Sequence, residues 1–62
     1  MREFDLETDR FGLYLLAGGG MGTVIDKATG KPAELLGLHA RAFAELQGLL
    51  RRAFVLMEKE SV

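Results

Sequence analysis

Pro32-Ala33-Glu34-Leu35-Leu36-Gly37-Leu38-His39-Ala40-Arg41-Ala42-Phe43-Ala44-Glu45-Leu46-Gln47-Gly48-Leu49-Leu50-Arg51-Arg52-Ala53-Phe54-Val55-Leu56-Met57-Glu58-Lys59-Glu60 is the stretch on which the fold turns. Placed at 100° steps, Leu35, Leu36, Leu38, His39, Ala42, Phe43, Leu46, Leu49, Leu50, Ala53, Phe54, Leu56 and Met57 share an arc of about 160°. The opposite arc carries Ala40, Arg41, Ala44, Glu45, Gln47, Gly48, Arg51, Arg52, Val55, Glu58 and Lys59. This periodicity predicts one long amphipathic helix over roughly 32–60. Pro32 suits its first position and Glu34 its positive N-terminal end.

The sequence before this stretch has a different period. In Glu3-Phe4-Asp5-Leu6-Glu7-Thr8, Phe4 and Leu6 alternate with acids, the pattern of a strand with one wet face over roughly 3–8. Thr8-Asp9-Arg10 breaks the alternation and turns the chain. Residues 11–17, Phe-Gly-Leu-Tyr-Leu-Leu-Ala, are apolar on both parities, which fits a strand covered on both faces. A helix ended by Gly18 competes for the same run, but its brevity, Gly12 and Tyr14 favour the strand. Gly18-Gly19-Gly20 makes a turn, and Met21-Gly22-Thr23-Val24-Ile25-Asp26 reads as a third strand. Lys27-Ala28-Thr29-Gly30 turns the chain again, with Gly30 in a left-handed position. The expected fold class is therefore α+β. A single domain spans 1–62, with an antiparallel meander of two to three strands (roughly 3–8, 11–17, 21–26) preceding the helix.

A chain of 62 residues barely offsets its ordering entropy by burying apolar surface, and small domains usually add a disulfide, a metal or a partner. With no cysteine and one histidine, the first two routes are closed. Self-association is the expected staple, and two-fold dimers are the commonest oligomers. A helix of about 43 Å also outruns strands of about 20 Å, so the C-terminal half of its apolar face calls for a second copy. Leu36, His39, Phe43, Leu46, Leu50, Ala53 and Met57 alternate by three and four, as along a helix seam. Leu36, Phe43, Leu46, Leu50, Ala53 and Met57 are the expected dimer interface. The arc is wider than a coiled-coil seam, which favours an antiparallel helix pair inside a globular dimer.

On the outer helix face Ala40, Ala44 and Gly48 recur every four residues, next to a basic strip of Arg41, Arg51, Arg52 and Lys59. Ala44, Gly48, Arg51 and Arg52 are candidate contacts for a further protein partner, against the plainer reading of a solvated face. His39, within the apolar arc, reads as a partly buried histidine hydrogen-bonded to a neighbour, or else as a pH-sensitive contact in the seam.

Catalytic, metal and cofactor chemistry finds no residues in this pattern. Ala17-Gly18-Gly19-Gly20-Met21-Gly22-Thr23-Val24 resembles the protein-kinase phosphate loop, with Ala17 in the first glycine position. No lysine follows on a third strand, no catalytic-loop aspartate motif follows, and 62 residues cannot hold a kinase fold. The stretch reads as a glycine-rich hairpin loop. Gly30-Lys31-Pro32 lacks the hydroxyl residue that ends a Walker A motif, and Ser61 belongs to no Ser-His-Asp arrangement. The net charge of −1 gives no electrostatic footprint for nucleic acid. No run approaches the length of a membrane span, and the N-terminal residues are not those of a signal peptide. A cytoplasmic location is expected.

The function these features predict is a non-enzymatic, homodimeric protein–protein interaction module of adaptor, accessory or inhibitor type, with no cofactor. The alternative is a small dimeric DNA-binding transcriptional regulator using a β-ribbon, although Phe11 to Asp26 contains no lysine or arginine.

Overall fold

The computed structural model describes residues 3–60. A four-stranded antiparallel sheet, β1 (Leu6–Glu7), β2 (Phe11–Leu15), β3 (Met21–Asp26) and β4 (Lys31–Pro32), runs in sequence order and precedes one helix, α1 (Ala40–Glu60). The fold is α+β, as the change of period predicts. Residues 11–15 form a strand, which decides between the two readings of that run.

The elements differ from expectation at β1, at the end of β2, which stops at Leu15 where residue 17 was expected, and between β3 and the helix. The first strand shortens to Leu6–Glu7, and its residues do not share one face as simple alternation implies. Leu6 packs against the core, whereas the Phe4 ring crosses to the outer face and lies 5.0 Å from the Tyr14 ring. Asp5 fixes this departure: its amide donates to the Leu13 carbonyl, and its carboxylate accepts from the Leu15 amide at 2.7 Å.

Residues 32–39 are not helical. Pro32 is instead in a fourth strand, opposite Ile25, where an edge position tolerates its missing N–H. Gly37 adopts φ 93°, a left-handed conformation that ends any helix running through it. Glu34 consequently lies outside the helix.

The helix start is set by His39. Its Nδ1 accepts from the Ala42 amide at 3.1 Å, and its carbonyl accepts from the Phe43 amide at 3.0 Å, an N-cap made by an imidazole. His39 is exposed, not half-buried in the apolar arc, because that arc assumes a helix already under way from Pro32.

Strand register brings the core together. Leu13 faces Leu6 on one side and Val24 on the other. Between the Leu13–Val24 and Leu15–Met21 pairs, β3 carries one extra residue, a β-bulge. The bulge lets Val24 and Met21, three residues apart, both reach the helix side of the sheet. From the helix come Ala42, Leu46, Leu49 and Ala53, spaced by four, three and four, which close over Phe11 and Leu13. The helix lies over β1 and β2. None of the described helix is long and apolar enough to cross a membrane.

Candidate functional site

The helix α1 carries two parallel stripes with different fates, one inside the apolar arc and one along its edge that takes in Gln47 from the polar side. The first, Ala42, Leu46, Leu49 and Ala53, is buried against the sheet. The second, Phe43, Gln47, Leu50, Phe54 and Met57, is spaced by four, three, four and three and is rotated away from the β1 edge, where Arg52, Val55 and Leu56 meet Leu6. Phe43 remains 39 % exposed and Phe54 53 % exposed, while Leu50 and Met57 are half-buried. One helix about 10 Å wide cannot cover a four-stranded sheet whose strands lie about 4.8 Å apart. Met21, Val24 and Ala33 on the β3–β4 side, like Leu6 on the β1 side, are consequently only partly buried.

The interface expected from sequence takes residues from both stripes. Leu46 and Ala53 lie in the protomer's own core. Phe43, Leu50 and Met57 lie on the open stripe. Leu36 sits in the turn before the helix, 91 % exposed. Phe54 and Gln47 complete the open stripe and were not singled out by the sequence seam. Their 4-3-4-3 spacing is in the sequence, but it cannot be told from the buried stripe without the sheet. Leu16, 54 % exposed at the start of the glycine loop, was missed as well. Together with Met57, Leu15, Ala17, Gly19, Gly20 and Asp5 it lines a cleft of about 310 Å³.

The four candidate partner contacts, Ala44, Gly48, Arg51 and Arg52, are all exposed on the helix face away from the sheet. A Cβ added at Gly48 would meet open space, so no close approach within the chain requires glycine there. Arg52 borders an apolar cleft of about 330 Å³ formed with Leu6, Val55 and Leu56 on the β1 side.

Polar side chains are engaged in holding the fold. Glu45, expected on the solvated face, instead reaches the β1–β2 turn. It accepts from the Thr8 hydroxyl at 2.5 Å and from the Arg10 amide at 2.8 Å. Those two bonds, Thr8 first, together with nearby cationic charge, hold the Glu45 carboxyl below its ordinary pKa.

Arg10 forms a two-point pair with the buried Asp26, at 3.1 and 3.0 Å. That pairing lowers the Asp26 pKa and raises that of Arg10. Asp26 also accepts from the Ala28 amide at 3.0 Å, pinning the turn before β4. A cleft of about 220 Å³ adjoins this pair, next to Lys31 and Leu36.

Among the described residues, no group of three or more His, Asp or Glu side chains is placed to hold a metal ion. Ser61 lies outside the described residues. The surface of α1 offers apolar contact area that includes two exposed phenylalanines, Phe43 and Phe54. No family model, curated protein or solved structure matches the chain.

Proposed function

We propose that the chain is a non-enzymatic protein–protein interaction module that works as a homodimer, of adaptor, accessory or inhibitor type. The observation that carries this reading is the open stripe of α1, which leaves Phe43 and Phe54 uncovered beside Leu50 and Met57. Aromatic side chains on a preorganised helix are the residues that anchor protein interfaces. Self-association covers this stripe and supplies the stabilisation that a 62-residue chain without cysteine gains from no cross-link of its own. The opposite helix face, with Ala44, Gly48, Arg51 and Arg52, and the Leu6–Val55–Leu56 cleft then remain for a different protein.

Solution mass by light scattering over a range of concentrations tests the homodimer. The expected mass is about twice the 6.8 kDa of the chain. A mass equal to one chain at every concentration refutes it. The β-ribbon reading has less support, since β2 and β3 and the loop between them carry no lysine or arginine for phosphate contact.

A further inference from the structure

We infer that His39 is a proton switch on the start of α1: the neutral ring caps the helix, and the protonated ring releases its first turn. The cap requires a lone pair. The Ala42 amide donates to His39 Nδ1 at 3.1 Å, so that nitrogen is unprotonated and the ring carries its proton on Nε2. A protonated imidazole donates from both nitrogens and has no lone pair left to accept. Serine, threonine and asparagine caps do not titrate, whereas histidine is the side chain that changes charge between about pH 5 and 8.

The surroundings favour the neutral ring. Protonation places a positive charge at the positive end of a 21-residue helix. The first turn of α1 holds no acidic residue to offset that charge, and Arg41 stands within it. On the approach from β4, Glu34 lines a cleft together with Arg10, Asp26 and Lys31. Asp26 is taken by Arg10, and Glu45 by the Thr8 hydroxyl and the Arg10 amide. Among the described residues, none of these charged groups forms an ion pair or hydrogen bond with His39.

The junction that His39 caps is lightly held. The Ala33 amide donates to the Val24 carbonyl at 2.8 Å, and between there and the helix the Leu38 amide reaches the Leu35 carbonyl at 3.4 Å. Losing the cap leaves the Ala42 amide without its acceptor, next to a side chain in the core. The released turn also carries Phe43, exposed on the open stripe, whose amide donates to the His39 carbonyl. The loosening stops at Glu45, which is bound to Thr8 and Arg10. The switch acts within one chain and does not depend on the homodimer.

Urea unfolding of the full chain and of His39→Asn, from about pH 8 to about pH 5.5 at one protein concentration, tests it. Asparagine keeps a cap that does not titrate, and any carboxylate contribution is common to both chains. The native chain is expected to lose about three- to five-fold in its folding constant relative to the variant across this window, the size of one typical cap. Equal pH dependence in the two chains, or a steeper one in the variant, overturns the inference. Nitrogen chemical shifts of the His39 ring give a second reading that needs no variant. The Nε2–H tautomer is expected at about pH 8, with the Ala42 amide signal moving as the ring takes up its proton. An Nδ1–H tautomer, or an Ala42 amide that ignores the ring's titration, overturns the inference as well.

Discussion

A Cβ built on Gly12 falls 2.3 to 2.4 Å from three atoms of the Phe4 ring, closer than any real contact. Gly12 is therefore the seat of Phe4 on the outer face of the sheet, where the ring also meets Tyr14 and the Lys27 ammonium at 5.5 Å. Gly12→Ala must displace the ring or bend β2, and is expected to lower stability by about 1–3 kcal/mol in urea unfolding. In a Phe4→Ala background the same change should lose most of its effect. Equal effects in both backgrounds would show that the ring is not the source of strain. His39 offers a second test at this scale. His39→Ala removes the acceptor for the Ala42 amide and should lower stability by about 1 kcal/mol, while His39→Asn, a good cap, should restore it. If asparagine fares no better than alanine, the imidazole does something other than cap.

At the scale of elements, the sheet and helix are joined by packing and by the polar latch from Glu45 to Thr8 and Arg10. The carboxyls of Glu45 and Asp26 both titrate below their ordinary values in the folded chain. The unfolded chain thus binds protons more readily at both positions. Their contribution to stability is complete above the ordinary carboxylate range and is lost as pH falls through that range and below it. The urea midpoint is expected to drop with acidification, and Glu45→Gln should flatten that drop while leaving the Asp26 part in place. An unchanged acid slope in Glu45→Gln would assign the whole effect to Asp26 and its Arg10 partner. The two-point Arg10–Asp26 pair and the Glu45 latch both meet at the β1–β2 turn, so this corner is where the sheet edge, the β3–β4 turn and the helix are fixed relative to one another.

For the molecule as a whole, the governing quantity is coverage. A small sheet with one helix on it buries the start of β2 and leaves Leu6 on one side, and Met21, Val24 and Ala33 on the other, only partly buried. If a second copy completes that cover, folding and association are linked. The melting temperature should then rise with protein concentration, several degrees over a hundredfold range by mass action in a domain of about 60 residues. A melting temperature that does not move over that range, in calorimetry or circular dichroism, would mean that the protomer is stable alone. Extents of 35 × 26 × 17 Å fit a layer one helix and one sheet thick, with the helix lying along its length.

Much of this was legible in the chain, for reasons that can be named. Strand β3 is found over the six residues that the β-branched run predicts, and the glycine turns at 18–20 and at 30 take positive φ at Gly18, Gly19 and Gly30. These are local properties: backbone freedom and a period of two are written residue by residue. The change to a period of 3.6 likewise fixes the C-terminal helix and its apolar arc. Where α1 begins was not legible, because its cap is a histidine and Pro32 serves an edge strand as well as a helix start. Nor could the sequence divide the arc into a buried and an open stripe. Leu46 and Leu50 carry the same side chain one turn apart, yet Leu46 is buried against the sheet and Leu50 only partly so. The Glu45 latch spans 35 to 37 residues, a separation at which no periodicity carries information. The sequence by itself determined the first three strands and the helix that follows them, though not β4, since those elements follow from local sterics and hydrophobic period. The tertiary structure alone decided which apolar residues were spent on the core and which were left at the surface, since that depends on how much of a four-stranded sheet one helix can cover.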